Sequence, residues 1–298
     1  MGFEVRTAVP ADAVGVARIW AVTMPQLVKT ARAVELELRH GQSRGVLVAA
    51  DGADVVGYTN IYLPPPDARA PRVRITVQVP PEVRRRGIGS ALLAAITERA
   101  VATGAGRLLV AVRDDDASKG FAERHGFTLG RQMSHAAAEL SAVPEPVDPP
   151  AGLRVLDYSA LTPRQLFDAE IAVRDDDPSG LSGGPAYEEW VDVSWHNPDG
   201  RHDLSFAVLD GDQVLSFVTT TADPDRGMIW SNLTGTIPAA RGRGLAKVVK
   251  SAALARARDA GFTVASTGND AANAPMLAVN KWLGYRVTSG AWTAEKAP

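Results

Sequence analysis

At 298 residues the chain has room for about two domains of ordinary size, each with its own core. Its 45% hydrophobic and 22% charged residues describe a folded globular protein, and a net charge of −2 gives no general pull toward nucleic acid or an anionic membrane. The absence of cysteine excludes disulfides, thiolate nucleophiles and cysteine–metal centres; five scattered histidines offer no zinc spacing, and no run reaches the roughly 18 apolar residues of a membrane span.

The first residues, MGFEVRTAVPADA, carry no basic region followed by an apolar one, and Arg6 stands where a myristoylation signal needs Ser or Thr. A cytoplasmic protein without membrane, nucleic-acid or metal partners is expected. Phe3 to Thr7 reads as a strand. Asp12 is positioned to cap a helix whose stripe is Val14, Ala17, Arg18 and Ala21. A second helix is expected around Thr30 to Arg39. Val46 to Leu63 then reads as a hairpin turning at Asp51-Gly52. A strand from Ile75 to Val79 ends at Pro80-Pro81. After it comes RRRGIGSALL, Arg84 to Leu93, a basic glycine turn opening a helix with the buried stripe Ile88, Leu92, Leu93 and Ile96. Leu108 to Val112 reads as a strand covered on both faces, followed by a helix near Ser118 to His125 and by Gly126-Phe127. Glu139 to Gly152, with four prolines, reads as a stiff linker rather than an element.

The second half repeats the plan. Leu153 to Leu156 is a strand, and Thr162-Pro163 starts a helix. Leu204 to Ala222 is a hairpin turning at Asp210-Gly211, and the strand Ile229 to Ile237 leads to a second glycine turn, RGRGLAKVV, Arg241 to Val249. Its helix has the stripe Leu245, Val248, Val249 and Ala252. A strand at Thr263 to Thr267, a helix near Pro275 to Leu283 and Gly284-Tyr285 follow. From hairpin turn to first arginine is 33 positions in one half and 31 in the other; from that arginine to the late glycine is 42 and 43. Agreement of three landmarks implies an internal duplication, with module one at 1–140, a linker at 141–152 and module two at 153–298.

Each glycine turn has the makings of an anion site. Glycine lets the main chain approach a ligand, the first helical turn offers N–H groups with no partner in the helix, and the dipole and arginines favour phosphate. The spacing is not that of a nucleotide-triphosphate loop, since no G-x-x-x-x-G-K-[ST] occurs.

Hairpin, strand, R-x-x-G-x-G/A, helix, strand, helix and G-[FY] resemble the GNAT superfamily of N-acetyltransferases. The whole chain resembles a tandem GNAT, similar to actinobacterial proteins related to mycothiol synthase. TGNDAANAPMLAVNKWLGY, Thr267 to Tyr285, and DDPSG, Asp176 to Gly180, carry the sharper match. The resemblance implies an α/β fold of two mixed sheets flanked by helices, with acetyl-CoA as donor and the amine of a small molecule as acceptor, in a monomer or homodimer. It places the pyrophosphate on Arg84, Arg85, Arg86, Gly87, Ile88, Gly89 and Ser90 in module one. In module two it falls on Arg241, Gly242, Arg243, Gly244, Leu245 and Ala246. Main-chain groups of Val77 and Val79, or Thr234 and Thr236, would bond the pantetheine arm, with a Thr234 strand N–H stabilising the developing oxyanion. Asn273 would reach the pantetheine amides, or serve only as a helix cap.

The sequence departs from the family where many members carry a tyrosine acid in the late helix. That position holds Ala122 in module one and Asn280 in module two. A thiol of pKa near 8.5 can leave without such an acid, so Asn280 is expected to position the thioester or a water, and module two to be the catalyst. Asp176 is the candidate to bind or deprotonate the amine, against a reading of Arg174 to Asp177 as a solvated loop. Trp190, Trp195 and Trp230 either line an acceptor pocket or belong to the core. The alternative to an N-acetyltransferase is an acetyl-CoA-binding sensor or scaffold.

Overall fold

The computed structural model describes residues 2–40, 44–62, 72–174 and 186–298. Contacts divide the chain into two compact units, Met1–Ser134 with Ser289–Pro298, and His135–Thr288. Among the described residues no helix is long and apolar enough to cross a membrane.

The first unit runs β1 (Glu4–Thr7), α1 (Ala13–Thr23), α2 (Ala31–His40), β2 (Arg44–Asp51), β3 (Asp54–Tyr62), β4 (Arg72–Gln78), α3 (Ile88–Ala102), β5 (Arg107–Arg113), α4 (Asp116–Arg124) and into β6 (Thr128–Glu139). The β2–β3 hairpin turns where Gly52 takes a φ of +64°, a left-handed conformation that costs glycine little. Strands β1 to β4 pair antiparallel in order. The β4–β5 pair is parallel and short, joining only Arg72–Arg74 to Arg107–Leu109. Beyond it β4 stays with β3, while β5 pairs with Ala291–Lys296 of the chain's last strand. The two parallel strands therefore splay apart.

The second unit contains β7 (Arg154–Asp157), α5 (Pro163–Arg174), α6 (Tyr187–Trp190), β8 (Phe206–Asp210), β9 (Gln213–Asp223), β10 (Met228–Thr236), α7 (Leu245–Asp259), β11 (Val264–Asp270) and α8 (Ala274–Trp282); β12 (Arg286–Lys296) ends the chain. Thr162 and Gln165 form a reciprocal capping box at the start of α5. The β10–β11 pair is again parallel and ends early, at Ser231 and Thr267, next to a register shift between Ser231 and Leu233. Each unit is a mixed sheet flanked by helices.

Helix α3 buries Ile88, Leu92, Leu93 and Ile96 as the stripe requires, each contributing about 1.5–3 kcal/mol. Three readings need correction. Helix α1 buries Ala13, Val16, Ile19 and Thr23, not the Val14 face; Val14 is 71% exposed. Asp12 does not cap α1 through its side chain, because its carboxylate binds Arg6 at 2.7 and 2.8 Å and accepts from the Val9 N–H. Strand β5 is not covered on both faces: Ala111 is exposed and Leu109 and Val110 half-buried, because this strand walls a cleft. The proline-rich segment forms no helix or strand over 143–150 and packs on the second unit. Leu140 and Val143 are buried, Leu140 N–H bonds the Thr263 carbonyl, and Val147 N–H bonds Ser251 Oγ. That cover lies over Ser251, which is fully buried on α7.

Candidate active site

The splay in the first unit opens a cavity of about 330 Å³. The ends of β4 and β5, the glycine turn, the start of α3 and the inner face of α4 line it. Val77, Val79, Arg84, Arg85, Gly87, Ile88, Gly89 and Ser90 are all in its wall, so eight residues named from sequence come together. Arg86 does not; it pairs with Asp51 at 3.1 Å. Arg84 Nε donates to the Val79 carbonyl at 3.0 Å, pinning the turn to the strand. Gly87 is the N-cap of α3 at φ +82°, and no side chain caps the helix. Its first N–H groups are thus left for a ligand. An added Cβ at Gly87 would meet nothing within 4 Å, so the glycine is required by its backbone angle and not by crowding. Gly89 is different: a Cβ there would sit 3.2 Å from Phe121.

Arg85, with φ +64°, is the one non-glycine residue with positive φ among the described residues. The matching position in the second turn is Gly242, at +76°. An arginine held left-handed at a ligand cleft is local strain of the kind that clusters at functional sites. One other feature of this wall escaped the sequence reading. His125 bonds Ser90 Oγ at 3.1 Å and lies on Phe121 with ring centroids 4.4 Å apart. Burial, with smaller contributions from Lys296 and Arg124, pushes its pKa below the ordinary value. Ala122 lines the cavity at the position of the missing acid, and no Asp or Glu is in its described wall.

The second unit reproduces the frame. Arg241 Nε donates to the Thr236 carbonyl at 3.2 Å, and Gly244 at φ +77° starts α7 without a side-chain cap. Gly242 precedes it, Arg243 is exposed, and Leu245 and Ala246 form the first turn of α7. Lys247 adds a cation over the Trp282 ring at 5.0 Å, joining α7 to α8 as Ser90 and His125 join α3 to α4. Thr234 and Thr236 lie on β10 opposite Val218 and Ser216, and Ser216 Oγ meets Thr236 Oγ1 at 2.9 Å. Asn280 is 3% exposed. Its Nδ2 donates to Asn269 Oδ1 at 2.6 Å, and its own Oδ1 is buried without a partner. A buried acceptor left unmade costs about 1–3 kcal/mol, which favours a site that a ligand donor completes.

Asn273 caps α8, accepting from Met276 N–H at 3.2 Å, so its oxygen is engaged in the cap. Asp176 lies outside the described residues. Trp190 is core: it is 1% exposed and its Nε1 donates to Glu170 at 2.9 Å. Glu170 also binds Arg174 at 2.6 Å; burial still raises its pKa. Trp195 stacks on Tyr158, interplanar angle 6°. Trp230 packs by His135 at 6.2 Å, over Gly268, where a Cβ would come within 3.0 Å of its ring. No group of metal-ligating side chains occurs among the described residues.

In each unit, parallel strands that splay apart beside an uncapped glycine turn define an acyltransferase architecture. A model of the Acetyltransferase (GNAT) family matches residues 15–127 and again 170–285, and the chain belongs to that family. It is 30% identical over 249 residues to the mycothiol acetyltransferase of Mycobacterium avium (strain 104), covering 77% of this chain and 75% of that one. It is also 30% identical over 261 residues to the mycothiol acetyltransferase of Thermomonospora curvata, covering 84% and 81%. Among solved structures it resembles a tandem GNAT protein from the clavulanic acid biosynthesis pathway, with TM-score 0.75, 18% identity and 99% and 98% of the two chains covered. A GCN5-related N-acetyltransferase from Sphaerobacter thermophilus gives TM-score 0.70 at 20% identity, over 99% and 95%. The protein is a GNAT-type acyltransferase with two modules in tandem, and the family generally uses acetyl-CoA.

Proposed function

We propose that the second unit transfers an acetyl group from acetyl-CoA to the amine of a small molecule, while the first binds acetyl-CoA without turning it over. The repeated arginine-to-carbonyl clamp beside an uncapped, left-handed glycine helix start carries this reading. Unpaired amides and guanidinium groups fit a diphosphate, and an apolar groove beyond them fits the pantetheine arm. The carbonyls of Val79 and Thr236 are already engaged by arginine, so the N–H groups of these strands, with Val77 and Thr234, are the proposed partners of that arm.

A free alkylamine of pKa near 10 is nearly all ammonium at pH 7, and deprotonating it by equilibrium alone costs about 4 kcal/mol. The first cavity has no carboxylate in its described wall, and His125 sits at the glycine-turn side on Ser90. That wall is suited to holding a donor and poorly suited to the proton transfer. In the second unit Asn280 supplies a buried acceptor, Thr234 is the proposed oxyanion donor, Asn273 stands at the head of α8, and Asp176 is the proposed amine-binding carboxylate. Binding holds the amine near the thioester and removes the entropy of encounter. The naming of relatives as mycothiol acetyltransferases supports a small-molecule acceptor.

The second reading, an acetyl-CoA-binding sensor, is favoured by the carboxylate-free wall of the first cavity. Release of CoA thiol with a panel of amines separates the two. An enzyme gives amine-dependent release well above background; a sensor binds acetyl-CoA and releases only background thiol.

A further inference from the structure

Lys250 is 1% exposed on the inner side of α7. Its Nζ lies over the ring of Tyr285 at 5.1 Å. Burial alone brings its pKa down to about 7, with no carboxylate contributing. A lysine in this state holds much of its population as a neutral, nucleophilic amine at physiological pH.

The internal repeat says where this amine stands. Lys250 lies as far beyond Arg241 as Leu93 lies beyond Arg84, and Tyr285 follows Gly284 as Phe127 follows Gly126. Leu93 and Phe127 both line the first unit's cavity. Leu93 is itself 3% exposed and Phe127 6%, so low exposure does not remove a residue from that wall. Leu93 also shows that packing at this place in the fold needs no nitrogen. An amine kept there against its desolvation cost calls for a chemical use.

We propose that Lys250 is an internal acetyl acceptor, a modification site on the floor of the second unit's cleft; this rests on the reading of that cleft as an acetyl-CoA site. Nζ attacks the carbonyl carbon of the thioester. The N–C bond forms as the C–S bond breaks, sulfur leaves with its electron pair as the CoA thiolate, and the proton lost from Nζ passes to that thiolate. The product is a neutral amide, which suits an apolar surround better than the ammonium it replaces.

The test is incubation of the full-length protein with acetyl-CoA and no amine, followed by intact-mass and peptide-map analysis, with acetyl-CoA binding measured by calorimetry on the same samples. The expected result is one acetyl group per chain at Lys250, with matching thiol release. Lys250→Met, which keeps length and apolar character, should bind acetyl-CoA yet lose both the label and that release. Gly244→Glu should lose the label although Lys250 is intact, showing that it comes through the cradle and not from bulk solution. Binding without acetylation of Lys250 overturns the acceptor role alone. So does a label spread over Lys29, Lys119, Lys247, Lys281 or Lys296. Absence of binding overturns the acetyl-CoA reading and this proposal with it.

Discussion

Arg84 donates its Nε–H to the Val79 carbonyl at 3.0 Å, fastening the glycine turn to the end of the strand it follows. Arg241 and Thr236 repeat the bond at 3.2 Å. The clamp fixes where the amides at the start of α3 and α7 point, because strand end and helix start can no longer move independently. The substitutions below act on this frame or on the groups it serves.

Gly244→Glu should abolish acetyl-CoA binding in the second unit and reduce amine-dependent thiol release to background. Gly87→Glu should leave that release largely intact. Neither added side chain meets a protein atom at its Cβ. Each brings a negative charge to the anion site and forces a non-glycine residue to a φ near +80°. Calorimetric stoichiometry and thiol release, with circular dichroism to establish folding, check this. Equal loss of activity from both changes contradicts the division of labour.

Arg85→Gly should leave stability unchanged or raise it by up to about 1 kcal/mol, since the left-handed angle costs glycine less. It should weaken acetyl-CoA binding by the first unit several-fold through loss of a cationic donor. Thermal melts and titrations on the same protein read the two effects separately. Weakened binding with lowered stability would mean that Arg85 is structural.

Asn280→Ala should lower kcat by about tenfold or more with a smaller change in KM, and destabilise the protein by about 1–3 kcal/mol because Asn269 loses its donor. A loss of stability with kcat unchanged would remove Asn280 from the chemistry.

Lys250 gives a pH signature. Its folded pKa of about 7 lies below its ordinary 10.5, so between these values the unfolded chain binds more protons than the folded one. Stability should therefore rise with pH across that window, by at most about 1.4 kcal/mol per pH unit from this group. Burial raises Tyr285 to about 12, so ionisation of this tyrosine in the unfolded chain opposes the trend above pH ~10. Lys250→Met should flatten the slope between pH 7 and 9 and stabilise the protein at pH 6. An unchanged slope would show that Lys250 does not titrate there.

Much of the architecture was legible because duplication prints the same landmarks twice. Hairpin turns at Asp51-Gly52 and Asp210-Gly211, glycine helix starts and helix stripes are local features, and local geometry needs these residues in that order. The face of α1 was misread because Val14 mimics a core residue at helical spacing, while Gly15, against the Val55 side chain, marks the packed side only in three dimensions. Which partner a strand takes is not written in its own residues, so the pairing of Ala291–Lys296 with β5 left no mark. The turn residues of the site were visible in their motif. His125, Lys247 and Lys250 were not, because a lone histidine or a lysine in a helical run looks like solvated surface until its neighbours are known.

The most direct measurement is isothermal titration of the folded, full-length protein with acetyl-CoA. A saturable heat with two sites per chain is expected, reduced to one by either Gly87→Glu or Gly244→Glu. A folded protein that gives no saturable heat with acetyl-CoA would contradict the duplicated diphosphate cradle.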